Sequence, residues 1–155
     1  MKRMLLLIVF LPAAGALAQQ ESDLDSNFDK TNIVIEADEH ACYHFDVYVA
    51  ASIRQQRRGL MYVRELPPGS GMLFVYDRPG TRSMWMKNTY IPLDMLFIRG
   101  DGTVESVVER TKPLSLTSIS SGEPVVYVLE LNGGTAAELG IGTRSRVHFA
   151  DPEIR

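Results

Sequence analysis

Cysteine is nearly absent from this 155-residue sequence: Cys42 stands alone, so no internal disulfide can staple the fold. Tryptophan is equally scarce, with Trp85 as its single instance. A dominant charge is missing too. The formal net charge of -3 excludes the strongly basic surface of a general nucleic-acid binder. The longest apolar stretch falls short of the roughly 20 residues that a membrane-spanning helix needs. No nucleophile elbow, zinc-protease helix, phosphate-cradling glycine loop or paired-cysteine metal motif occurs. What is present, 45% hydrophobic and 23% charged residues, is the composition of an ordinary globular protein, and at this length a single domain is the expectation.

The N-terminus stands apart from that domain. Lys2 and Arg3 precede an apolar run over residues 4–11, and Ala16-Leu17-Ala18 is a small-x-small site before Gln19-Gln20. This is the layout of a secretory signal peptide over residues 1–18, cleaved after Ala18; the alternative is retention as an anchor. The expected location is therefore periplasmic or secreted, with no transmembrane span after cleavage. The acidic stretch 19–30 is expected to be a flexible leader, and residues 31–155 a single β domain. Cys42 reads as a small buried residue in a strand.

Alternation marks the strands. Ile33, Ile35 and Ala37 alternate with Asn32, Val34 and Glu36. Within 42–50, Tyr43, Phe45, Val47 and Val49 fall opposite His44, Asp46 and Tyr48. Segments at 72–76, 83–87, 94–98, 103–109, 125–131 and 146–149 read as further strands, and residues 111–122 as a loop. Ser52 with Gln55, and Thr135 with Glu138, form two capping boxes. The first opens a short helix with Ile53, Arg57, Leu60 and Met61 on one face and Gly59 inside it. The second opens a one-turn helix that Gly140 ends. About seven short strands and one or two short helices predict a mainly β protein, an antiparallel sandwich or barrel.

Five blocks then follow one another: Arg57-Arg58-Gly59-Leu60-Met61, Gly71-Met72-Leu73-Phe74, Trp85-Met86-Lys87-Asn88-Thr89, Ile91-Pro92-Leu93-Asp94 and Leu129-Glu130-Leu131-Asn132-Gly133-Gly134. Their order and spacing closely resemble the domain-of-unknown-function 192 family of prokaryotic proteins, many of them exported. The resemblance covers almost all of the expected domain and implies a compact, mostly β fold of the jelly-roll kind. It implies no established activity. His40, Cys42 and the leader lie outside the blocks.

The densest polar group is Lys87, Asn88, Thr89 and Asp94, beside Trp85. As a ligand shelf, Trp85 would stack on a flat apolar face while Lys87, Asn88 and Thr89 donate hydrogen bonds. As structure, Asn88 and Thr89 are good turn residues, Asp94 caps backbone donors or pairs with Arg57, and Trp85 is core. Glu130, between Leu129 and Leu131, is a candidate buried carboxylate expected to pair with Arg or Lys. Arg57 belongs to a basic cluster with Arg54, Arg58 and Arg64, either a solvated face or an anion contact. His40, Cys42 and His44 share a strand face, and Met84 and Met86 flank the indole with thioethers, an arrangement that suits soft metals in principle. No metal site and no cofactor is expected.

The function expected from these residues is a non-catalytic binding or accessory module in the cell envelope. Its ligand would be a glycan, small molecule or protein, held by Trp85, Lys87, Asn88, Thr89 and Asp94 with Arg57 and Glu130 in support. The alternatives are an envelope-directed hydrolase or transferase using Asp94 as base, and a periplasmic copper-binding protein using Met84 and Met86.

Overall fold

The computed structural model describes residues 23–37 and 41–150. The expected signal segment and His40 lie outside the described residues. The strands are β1 (Asp29–Glu36), β2 (Cys42–Ala50), β3 (Ser70–Gly80), β4 (Ser83–Met84), β5 (Leu93–Ile98), β6 (Val104–Val108), β7 (Ile119–Ser120), β8 (Val125–Asn132) and β9 (Arg146–Phe149). Helix α1 covers residues 23–27, α2 is Ile53–Arg58 and α3 is Thr135–Leu139.

Seven strands form one sheet in the order β6-β5-β8-β3-β2-β1-β9, curled into half a barrel, while β4 and β7 pair separately. The chain is therefore mainly β. The pairing is antiparallel except between β2 and β3. Parallel neighbours need a crossover, and α2 with the loop behind it supplies one.

The two edges of the sheet meet at one end. Thr103 bridges Arg146, the Val104 N–H donates to the Ser145 carbonyl at 3.1 Å, and the Val147 N–H donates to the Gly102 carbonyl at 2.8 Å. Gly102 makes this closure possible. Its φ is +87°, and a Cβ there would lie 2.3 Å from the Val147 oxygen, so a side chain would drive the edges apart.

Strand alternation sorts the apolar side chains into two cores. The inner one takes residues from all seven strands of the large sheet, among them Ile35, Val47, Leu73, Leu96, Leu129 and Val147. Met72, Phe74, Met95, Phe97 and Val128 face the other way and form an outer core with residues of the covering segments, including Leu60, Met86 and Leu93.

Part of that cover is the stretch expected to be a leader. Leu24 and Phe28, only 2% and 5% exposed, pack into the outer core, and Asp29 already begins β1. Two apolar residues four apart suffice to seat one helical turn, a signal masked by the polar residues around them.

Other local expectations need correction. The capping box at Ser52 and Gln55 forms, but α2 ends at Arg58 with Gly59 as its C-cap, and Ile53 is 70% exposed. Gly59 packs against the Phe74 ring. No capping box opens α3: its N-cap is Gly134, without a side-chain bond of its own. Cys42 is exposed, because the first residue of β2 lies at the rim of the sheet. Within the expected 111–122 loop, Ile119–Ser120 pairs with β4. Among the described residues no helix is long and apolar enough to cross a membrane.

Candidate functional site

The segment from Ser83 to Pro92 runs across the outer core and is tied down by backbone hydrogen bonds. The Met86 N–H donates to Ser115 O at 3.0 Å, the Tyr62 N–H to Asn88 O at 2.8 Å, and the Leu114 N–H to Thr89 O at 3.1 Å. Met86 anchors the segment with no exposed surface, and its sulfur accepts from the Thr111 hydroxyl at 3.2 Å. Side-chain direction alternates here as in a strand. Met84 is half-buried, while Trp85 points out and is 51% exposed. The Lys87 ammonium lies 5.2 Å from the centre of the Trp85 ring. Asn88 makes the turn at φ +56°, a conformation asparagine tolerates better than most residues, and its amide donates to Tyr62 Oη at 2.9 Å.

Beneath Trp85 lies a cavity of about 100 Å³, lined by residues that include Arg57, Tyr76, Met84, Trp85, Thr89 and Glu130. Glu130 stands on β8 between Met72 on β3 and Met95 on β5, so it belongs to the outer face and opens into this cavity. It is 4% exposed. Among the described residues it has neither a hydrogen bond nor an ion pair. Burial alone pushes its pKa from 4.5 up to about 8, so at neutral pH it is chiefly the uncharged acid. The expected pairing with Arg or Lys does not form. Arg58 pairs instead with Asp23 at 2.5 Å and donates to Met61 O, and Arg82 lies over the Tyr76 ring at 3.9 Å. Arg57, on the exposed side of α2, stays at the cavity's rim. The Tyr76 hydroxyl donates to Met84 Sδ at 3.8 Å, and burial raises its pKa.

Asp94 occupies the opposite face of the sheet. Its cross-strand neighbour is Leu131 of the inner core, whereas Glu130 faces Met95. With no exposed surface, its carboxylate accepts from the backbone N–H groups of Arg110 (2.7 Å), Gly134 (2.9 Å) and Ala136 (2.8 Å). Two of these donors belong to the start of α3, so Asp94 supplies from another strand the capping acceptor that the N-cap Gly134 lacks. The glycine at 134 has φ +102°, which presents its N–H to the carboxylate in a conformation that other residues avoid. Asp94 does not meet Arg57.

A larger open groove of about 850 Å³ runs past α3, lined in part by His44, Arg110, Asn132 and Glu138. Among the described residues no buried unpaired group lines it, so size alone does not make it the better candidate.

The structure thus brings together Arg57, Trp85, Thr89 and Glu130, with Lys87 stacked on the indole. Asn88 stands just outside the cavity, and Asp94 is removed from it by the thickness of the sheet. Tyr76 was missed in the sequence, although it continues the alternation of Met72 and Phe74 and therefore shares the face of Glu130. The methionines expected for copper are not presented together: Met84 lines the cavity, but Met86 is buried with its sulfur bonded to Thr111. Among the described residues, no three His, Cys, Asp or Glu side chains converge to hold a metal ion.

Comparison with known proteins agrees with the five sequence blocks. The model of the domain-of-unknown-function 192 family, described as an uncharacterized ACR, matches residues 33–149. The crystal structure of a Sinorhizobium meliloti 1021 protein, described as a candidate transcription regulator, is similar with a TM-score of 0.78 and 41% identity. That match covers 79% of this chain and 95% of the other. A protein of unknown function from Novosphingobium aromaticivorans DSM 12444 is 32% identical, with a TM-score of 0.74 over 77% of this chain and 84% of that one. No curated protein matches. From the family match and the shared fold together, the chain belongs to the domain-of-unknown-function 192 family.

Proposed function

We propose that this chain is an exported domain that serves in the cell envelope as a non-catalytic binding or accessory module, with the cleft between Trp85 and Glu130 as its binding surface. One observation carries the reading: a half-exposed indole stands at the mouth of a cavity lined by a buried carboxyl group that has no partner among the described residues. Folded proteins satisfy nearly all their buried polar groups, and a ligand that hydrogen-bonds to Glu130 would complete this one. Export rests on the layout of residues 1–18, and the ligand is a glycan, small molecule or protein segment of the envelope.

The enzyme reading has less support. A general base must reach its substrate, yet the oxygens of Asp94 are taken up by backbone donors, and Glu130 lies across the sheet from it. The description of the Sinorhizobium meliloti relative suggests DNA contact. Against that reading stand the net charge of -3 and the lengths of α2 and α3, six and five residues, too short to read a major groove.

Trp85 fluorescence tests the proposal, since no other tryptophan contributes. An indole this exposed should emit at long wavelength and be quenched by iodide. Glycans and cell-wall fragments are then titrated against wild type and W85A. A saturable change with at least one fraction, accompanied by binding that W85A loses in equilibrium dialysis, supports the cleft as the binding surface. Equal binding by wild type and W85A would remove it.

A further inference from the structure

We infer that the ligand of the Trp85 cleft is an anionic carbohydrate unit: a hydroxyl arm enters the cavity to Glu130, the sugar ring rests on Trp85, and a carboxylate or phosphate meets Arg57. This rests on the cleft being the binding surface and goes further by assigning its chemistry. Three features carry it.

The floor selects a hydroxyl. Glu130 is the only acidic side chain lining the cavity, and it is buried without a partner. A carboxylic acid offers one O–H donor beside an acceptor oxygen, and a sugar hydroxyl both accepts and donates, so the two match in both directions. A cation would have to ionise Glu130 and then hold it charged in a largely buried site.

The size places the ring outside. A cavity of about 100 Å³ is well below the roughly 300 Å³ at which pockets begin to enclose drug-sized ligands. It takes a hydroxyl or hydroxymethyl arm, while the ring stays at the mouth against the indole. Lys87 already stands over one part of that indole, and the apolar edge of a sugar suits what remains.

The mouth carries one sign of charge. Arg57 lines it, Lys87 caps Trp85 and Arg82 lies over Tyr76. Among the described residues none of these three is in an ion pair. Arg58, by contrast, is spent on Asp23. A guanidinium on a short helix at the rim suits a carboxylate or phosphate, which it holds by two parallel hydrogen bonds.

The test is a titration of the purified protein with glucuronate, glucose 6-phosphate, glucose and glucosamine, followed by Trp85 fluorescence and by equilibrium dialysis. Both anionic sugars should bind at least tenfold more tightly than glucose, and glucosamine most weakly. Whether glucuronate or the phosphate binds better distinguishes the two anion types. R57Q, on an exposed helix face, should cost the anionic sugars about tenfold and leave glucose unchanged.

Between pH 6 and 9, wild-type affinity should fall as Glu130 ionises, whereas E130Q, which keeps a donor and an acceptor, should show no such fall. The other titratable or charged side chains lining the cavity with Glu130 are Tyr76 on β3 and Arg57 and Arg58 on α2, while Arg82 lies over the Tyr76 ring and Lys87 over the Trp85 ring. Burial moves Tyr76 further above this range.

Glucose binding as tightly as glucuronate, with W85A abolishing both, would overturn the anionic assignment and leave the cleft in place. Glucosamine binding best, more tightly as pH rises, would overturn it in favour of a cation on ionised Glu130. No response to any of the four sugars would overturn it as well, while the response to envelope fractions still judges the cleft.

Discussion

Asp94 and Glu130 are both carboxyl groups buried in neighbouring strands of one sheet, and their surroundings differ in nearly every other respect. Asp94 faces the inner core and accepts from three backbone N–H groups. Glu130 faces the outer core and accepts from none among the described residues. The first is an internal cap that ties β5 to α3, and its oxygens have no capacity left for a substrate. The second has both oxygens uncommitted beside a cavity. Burial alone therefore does not tell a structural acid from a functional one; the supply of donors around it does.

The largest test of this contrast is D94A. It leaves three N–H groups without their acceptor, at about 1–3 kcal/mol each, so a loss of roughly 3–9 kcal/mol is expected in urea unfolding. A loss below about 1 kcal/mol would mean that α3 does not depend on Asp94.

The complementary test is E130Q. Between pH 4.5 and about 8 the folded protein keeps a proton on Glu130 that the unfolded chain has released. The native state then binds more protons than the unfolded state, so stability falls as pH rises through this window. The contribution is complete below pH 4.5 and gone above about 8, a span of at most about 5 kcal/mol. In E130Q that slope should vanish, and the variant should be more stable than wild type at pH 9. Parallel pH profiles for the two proteins would place the proton elsewhere.

A smaller effect separates the two kinds of cap. Ser52 caps α2 locally, from within its own turn, so S52A should cost only about 1 kcal/mol, well below D94A. The smallest is W85A. With half its surface in water, Trp85 should contribute within about 0.5 kcal/mol to stability, while ligand binding disappears. A large loss of stability in W85A would make it a packing residue.

Much of this was legible in the residues. Alternation at 42–50 and the β-branched run at 125–131 identified strands, and the Ser52–Gln55 capping box opens the helix where its spacing says it should. The polar block at 85–94 was visible as well, but as one group. Its division followed from strand parity. Asp94 pairs with Leu131 while Glu130 pairs with Met95, a register fixed only by the long-range meeting of β5 with β8. The cap on α3 differs from its sequence pattern for a related reason. Thr135 and Glu138 have the spacing of a capping box, but the helix starts one residue earlier, with Gly134 as its N-cap. The Glu138 N–H donates to the Gly134 carbonyl, and the Gly134 and Ala136 N–H groups are held by Asp94 from another strand. Leu24 and Phe28 escaped notice because a single helical turn has too few residues to display a period.

The most direct test is a ¹³C NMR titration of the glutamate side-chain carboxyls, with the Glu130 signal assigned through E130Q. The account predicts a midpoint near pH 8 for that signal, displaced when a sugar binds at Trp85. A midpoint in the ordinary glutamate range near 4.5, or one indifferent to every ligand that moves Trp85 fluorescence, would contradict it.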